Sequence, residues 1–158
     1  MRTSEQERIA AAYTEHRDVL RRLAAVVTGD ARCADDLVQD AYAELSARSG
    51  SVEDPAGWLR RVVTRRAIDW GRRQGSARAY LVRYGREVTH LRPTEQLADR
   101  LAVRDALARL SPEHRAVVFA RYYLDLPERE IATMLGVRPG TVKSRLSRAL
   151  AALEEDLT

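Results

Sequence analysis

Residues 127–150 read Pro127-Glu128-Arg129-Glu130-Ile131-Ala132-Thr133-Met134-Leu135-Gly136-Val137-Arg138-Pro139-Gly140-Thr141-Val142-Lys143-Ser144-Arg145-Leu146-Ser147-Arg148-Ala149-Leu150. They predict a short helix, a tight turn and a second helix with a basic outer face. Ile131, Ala132 and Leu135 form an apolar stripe, Gly136 can end a helix in the left-handed region, and Pro139 stands where a new helix begins. That is a helix-turn-helix. In the second helix Val142, Leu146, Leu150 and Leu153 share the face expected to pack inward. The other face carries Thr141, Lys143, Ser144, Arg145, Ser147 and Arg148, and no acid occurs from Ala132 to Leu153. Such a face meets phosphates without repulsion and offers donors to base edges in a major groove. A solvated basic helix face is the plainer alternative, but the turn spacing together with a single sign of charge favours DNA. Arg138, at the N-cap, lacks a short acceptor side chain, a deficit of about 1 kcal/mol that a phosphate at the helix start would offset.

The whole chain has 158 residues, long enough for one domain or two small ones, and its 45% hydrophobic and 32% charged composition suits packed helices. No apolar run approaches a spanning helix and Met1 to Glu5 opens no signal peptide, so a cytoplasmic location and no membrane span are expected. Cys33 is the only cysteine, which excludes an internal disulfide and a thiolate cluster. His16, His90 and His114 have no ligand spacing, so neither a metal site nor a cofactor is expected. The net charge of +4 favours an anionic partner, although Lys143 is the one lysine among 27 basic residues. Arginine so dominant looks like the codon bias of a GC-rich genome, which argues against giving every Arg a function.

Taken in order, residues 4–27 predict an amphipathic helix ended by Thr28-Gly29-Asp30, and a second helix is expected from Ala31 to Arg48. On that second helix Asp36, Asp40 and Glu44 recur every four residues with Asp35 and Gln39 beside them, opposite Leu37, Val38, Ala41 and Leu45. This acidic ridge is either solvated or a docking site for a basic protein surface. After a Ser49-Gly50-Ser51 loop, Asp54 and Pro55 start a third helix. Seven arginines occur between Arg60 and Arg78 against the single acid Asp69, with Trp58 and Trp70 among them. Arginines interleaved with aromatics suit single-stranded nucleic acid, where bases stack and phosphates pair with guanidinium groups; Trp58 as a core residue is the equal alternative. Gly75, Ser76, Gly85 and Pro93 mark residues 75–94 as a flexible linker. Helix resumes from Thr94 to Leu110 with Leu97, Leu101, Leu107 and Leu110 inward. Ser111-Pro112-Glu113 then caps a helix running through Val117, Val118, Phe119 and Tyr122 toward Leu124. The expected architecture is all-α: two small helical domains at 4–74 and 95–156, the second a helix-turn-helix.

Together these segments resemble the extracytoplasmic-function (ECF) sigma factors of bacterial RNA polymerase, over about residues 8–153. The resemblance is carried by Asp35-Asp36-Leu37-Val38-Gln39-Asp40, Trp58-Leu59, Ala67-Ile68-Asp69 with Arg72-Arg73, Leu107-Ala108-Arg109-Leu110-Ser111-Pro112, Arg121-Tyr122-Tyr123-Leu124-Asp125-Leu126, Glu130-Ile131-Ala132, Leu135-Gly136-Val137 and Gly140-Thr141-Val142-Lys143-Ser144-Arg145. It implies docking on core RNA polymerase, through the β′ coiled coil and the β subunit, with Asp36, Gln39 and Asp40 as the contacts on this chain. It implies reading of the minus-ten element as it melts by Trp58, Arg61, Arg65, Asp69, Arg72 and Arg73. The minus-thirty-five element falls to Lys143, Ser144, Ser147 and Arg148 at bases, with Thr141 and Arg145 on phosphates. Promoter DNA is therefore a partner, and an anti-sigma protein is a further one that the family often has. Arg65 stands where the family often has Asn, and Pro127 where it has Ser. The end at Thr158 leads us to expect none of the extra C-terminal domains of some relatives.

Two other classes compete. A free-standing helix-turn-helix regulator accounts for residues 127–150 but leaves the acidic ridge and the Trp/Arg helix without a role. An enzyme is disfavoured, because no nucleophile elbow, glycine-rich phosphate loop, metal cluster or apolar carboxylate pair is visible. Melting in this family needs no catalytic residue, since captured bases offset the few kcal/mol of unstacking.

Overall fold

The computed structural model describes residues 2–48, 52–74 and 95–158, and all regular structure in them is helical. The expected Ser49–Ser51 loop and 75–94 linker lie outside the described residues, as does the side chain of Leu97. Helix α1 spans Arg2–Thr28, α2 Ala31–Ala47 and α3 Pro55–Gln74. A second group follows: α4 (Glu95–Arg109), α5 (Pro112–Val118), α6 (Glu128–Leu135) and α7 (Pro139–Leu157).

The first three helices pack because their apolar residues recur at helical spacing. Leu20, Leu23, Ala24 and Val27 of α1 meet Ala34, Val38, Ala41 and Leu45 of α2 and Leu59, Val63, Ala67 and Ile68 of α3. Burying each of the larger side chains contributes roughly 1.5–3 kcal/mol. The ends are set locally. Gly29 turns the chain at φ 73, Asp30 caps α2 by accepting the Arg32 N–H at 2.8 Å, and Asp54 caps α3 by accepting the Gly57 N–H at 3.0 Å.

In the second group Val117, Ala120, Leu126, Ile131, Ala132, Met134, Val142 and Leu146 form the core. Ser111 caps α5 by accepting the His114 N–H at 3.2 Å. The expected continuous helix to Leu124 instead changes pitch: Phe119–Tyr123 is a π-helical turn, closed by the Leu124 N–H donating to the Phe119 carbonyl at 3.1 Å. The wider turn stacks Phe119 on Tyr123, with ring centroids 4.5 Å apart. Gly136 ends α6 at φ 67 and ψ 36, and Arg138 opens α7 with no side-chain cap, both as expected.

One inward assignment changes. Val142, Leu146 and Ala149 are the buried residues of α7, whereas Leu150 is 38% exposed. At 3.6 residues per turn the arc through Val142 and Leu146 continues to Ala149 and Leu153, and Leu150 is left on its flank. The two groups also share one interior: Ala116 and Phe119 of the second are buried within the cluster of the first, and Leu124 and Leu135 pack against it.

Candidate nucleic-acid interface

On α2, Asp36, Gln39 and Asp40 are exposed while Val38 and Ala41 beside them are buried, so the three stand on one outer face. The rest of the expected ridge is engaged within the chain. Asp35 pairs with Arg21 of α1, and Glu44 is held by Arg66 of α3 and by Arg48, the latter at 3.0 Å. Glu44 is thus a bridge between α2 and α3 rather than part of the open ridge.

On α3, Trp58, Arg61, Arg65, Asp69, Arg72 and Arg73 lie along the face opposite Leu59, Val63 and Ala67. Trp58 is half-buried against the core, with the Arg48 guanidinium 5.5 Å from its ring centroid, so its indole has a structural role. Arg61 is half-buried, and Arg65, Asp69, Arg72 and Arg73 are exposed. Two of these arginines touch the second group: Arg72 pairs with Glu113, and a Cβ built on Gly136 would lie 2.7 Å from Nη2 of Arg65.

On α7, Lys143, Ser144, Ser147 and Arg148 are exposed, and Thr141 and Arg145 are half-buried at the edge of the same surface. The buried Val142, Leu146 and Ala149 hold this face outward. Arg138 gives no side-chain cap and Pro139 carries no N–H, so the start of this 19-residue helix can meet an anion through the Gly140 backbone N–H.

Three neighbours of these surfaces carry shifted protonation. Burial pushes the Glu113 carboxyl up, but its own backbone N–H, the Arg72 hydrogen bond and charge, and the Arg145 charge together hold it below the usual carboxylate range. Burial pushes His114 down; Arg145 and Arg148 add to this and Glu113 opposes it. Burial also lowers Arg115, to about 10, against the opposing charge of Glu113. Arg115 is 2% exposed, and Nε and Nη2 donate to the Val27 carbonyl at 3.1 and 2.7 Å while Nη1 donates to the Leu110 carbonyl. Nothing in the sequence singled out Arg115, because 26 similar basic residues surround it and its partner carbonyl is 88 positions away. Burial pushes the Cys33 thiol up, and its Sγ–H donates to the Asp30 carbonyl at 3.2 Å, which fits a packing residue. Among the described residues no group of three or more His, Cys, Asp or Glu is placed to hold a metal ion, and no helix is long and apolar enough to cross a membrane.

Comparison with known proteins gives the family of the chain. Residues 12–78 match Sigma-70 region 2 and residues 100–153 match Sigma-70, region 4. The chain is 39% identical over 151 residues to the ECF RNA polymerase sigma factor SigL of Mycobacterium tuberculosis, covering 90% of this chain and 85% of that one. It is 37% identical over 147 residues to the RNA polymerase sigma-E factor of Streptomyces coelicolor, covering 89% and 80%. Its fold is similar to that of the sigma factor RpoE from Bartonella quintana, solved in complex with the anti-sigma factor NepR, with a TM-score of 0.67 at 22% identity over 92% of this chain and 93% of that one. Two matched regions in order, with relatives aligned along most of their length, place this chain among the ECF sigma factors, which bind core RNA polymerase and direct promoter-specific transcription.

Proposed function

We propose that the chain divides its work among three faces. Asp36, Gln39 and Asp40 dock on the β′ coiled coil of core polymerase. The outer face of α3, through Arg61, Arg65, Asp69, Arg72 and Arg73 with Trp58 supporting, engages the minus-ten element as it melts. Lys143, Ser144, Ser147 and Arg148 read the minus-thirty-five duplex, and Thr141 and Arg145 hold phosphates. Residues 4–74 and 95–156 are the corresponding domains.

The observation that carries this reading is the separation of charge. An exposed acidic patch on α2 would be repelled by DNA and suits a basic protein, whereas the exposed surface of α7 is free of acids through Leu153. RNA synthesis remains with the polymerase; this chain contributes recognition and strand capture in the cytoplasm. An anti-sigma protein, of the kind bound to the Bartonella relative, would be a second partner of the same surfaces.

Titration of the protein into bacterial core polymerase, followed by run-off transcription on a pool of genomic promoters, tests the reading. Saturable binding with new, discrete start sites is expected. Specific duplex binding by the protein alone, with no association with polymerase, would make it a free-standing regulator.

A further inference from the structure

A guanidinium from α1 reaches the chain just ahead of α3. Ile9 is buried in the core of the first group, which fixes its exposed neighbour Arg8 on the outer side of α1. From there Nη2 of Arg8 donates to the Val52 carbonyl at 2.7 Å, with a longer contact to the Glu53 carbonyl at 3.4 Å. Both carbonyls precede the helix and stand outside its ladder, so a donor 44 and 45 positions away serves them. Beside them Asp54 caps α3 at the Gly57 N–H, and a Cβ on Gly57 would collide with the Asp54 carboxylate, so this cap requires glycine. Glycine is among the poorest helix formers. The same first turn carries Trp58, whose N–H donates to the Asp54 carbonyl at 3.0 Å. From Leu59 onward the core grips α3 through the fully buried Leu59, Val63 and Ala67, whereas ahead of Leu59 only Pro55 is buried. The first turn is the part of α3 that depends most on tethers from outside.

We propose that Arg8 is a positioning residue for strand capture: by holding the Val52 and Glu53 carbonyls it sets where α3 begins, and with that the aim of Trp58 and Arg61. The proposal deepens the minus-ten reading above and rests on it. Trp58 is then steadied from two sides, through the backbone by Arg8 and over its ring by Arg48 at the end of α2. The two tethers fix different things. Arg48, itself paired with Glu44 at 3.0 Å, restrains one side chain, whereas Arg8 restrains the backbone on which both Trp58 and Arg61 ride. The bonds of Arg8 run to carbonyls at the surface, which take up water when the guanidinium is lost. Its removal therefore costs aim more than stability. Aim matters here because a base leaving the stack must meet side chains already held in place.

The test compares Arg8→Ala, Arg8→Lys, Arg61→Ala and the double variant Arg8→Ala with Arg61→Ala, each as the full chain with core polymerase. Permanganate reactivity of minus-ten thymines gives the rate of promoter opening, and promoters randomised across that element give base preference. Titration gives polymerase affinity and thermal unfolding gives stability. Arg8→Ala is expected to open the promoter roughly three- to tenfold more slowly and to relax base preference in the minus-ten element, with polymerase affinity and melting temperature unchanged. Arg8→Lys is expected to recover part of the rate, since an ammonium can still donate to the Val52 carbonyl. In the double variant the loss should be smaller than the product of the two single losses, because Arg8 acts in part through Arg61. Opening by Arg8→Ala at the rate of the unaltered chain would overturn the proposal. So would a double-variant loss equal to that product, or a loss matched by falls in melting temperature and polymerase affinity, the pattern of a merely structural bond. If Arg61→Ala itself opens the promoter normally with base preference intact, the minus-ten reading fails and takes the proposal with it. If Arg61→Ala is slow while Arg8→Ala is not, the positioning role alone fails.

Discussion

Arg115 closes the end of α1 from 88 residues away, donating through Nε and Nη2 to the carbonyl of Val27. Replacing it with Ala leaves two buried carbonyls, Val27 and Leu110, short of a charged donor. A loss of about 2–3 kcal/mol is expected in urea unfolding. Arg115→Lys should recover only part of this, since one ammonium cannot span both acceptors with the same fork.

Leu146 and Leu150 are four residues apart on α7 but differ in environment, 9% against 38% exposed. Leu146→Ala is expected to cost about 2–4 kcal/mol and Leu150→Ala less than about 1 kcal/mol. Equal costs by chemical denaturation would return Leu150 to the core.

Asp40→Arg is expected to weaken core polymerase binding by about tenfold, or ~1.4 kcal/mol, with thermal stability nearly unchanged. Glu44→Arg should behave differently. It breaks the bridge to Arg66 and sets like charges beside Arg48 and Arg66, so its main effect is a lower melting temperature.

Arg148→Ala should reduce promoter use by about 1–3 kcal/mol if it makes a good base contact, and should relax preference at one position of the minus-thirty-five element. An equal loss on every DNA sequence, with a shallower salt dependence, would make it a phosphate contact.

Acid should loosen the α5 region in two stages. His114 binds its proton less readily when folded than at its ordinary value of 6.5, so its contribution is complete above that pH and is lost as pH falls through its lower folded value. Glu113 is also lowered, from 4.5, so its contribution is present above that value and is lost as pH falls through the folded one. In His114→Gln the first stage should vanish from a pH series of melting temperatures.

Local chemistry made much of this molecule readable. Asp54, Ser111, Gly136 and Pro139 mark helix ends through their own backbone preferences, and each end lies where those preferences put it. The basic face of α7 was legible for the same reason, since helical spacing alone sorts Lys143 from Val142. Ala149 and Leu150 were confused because side-chain size is a poor guide when an alanine sits at the centre of the arc. The π-helical turn at Phe119 depends on how Phe119 and Tyr123 stack and on where Leu126 must reach, and neither is a property of the local sequence. Glu44 and Arg115 were invisible as partners for a third reason. Charge pairing across helices depends on which faces meet, and an arginine-rich chain offers many equivalent candidates.

The dependence of α1 on Arg115 also imposes an order in time. A ribosome adding about 5–20 residues per second takes roughly 4–18 s to travel the 88 positions from Val27 to Arg115. Throughout that interval the Val27 carbonyl at the end of α1 lacks its guanidinium partner, and α3, which ends at Gln74, is itself completed only about half-way through. The newborn chain thus passes, in every round of synthesis, through a stage in which chaperones can reach the apolar side chains of the first group that Ala116 and Phe119 later cover.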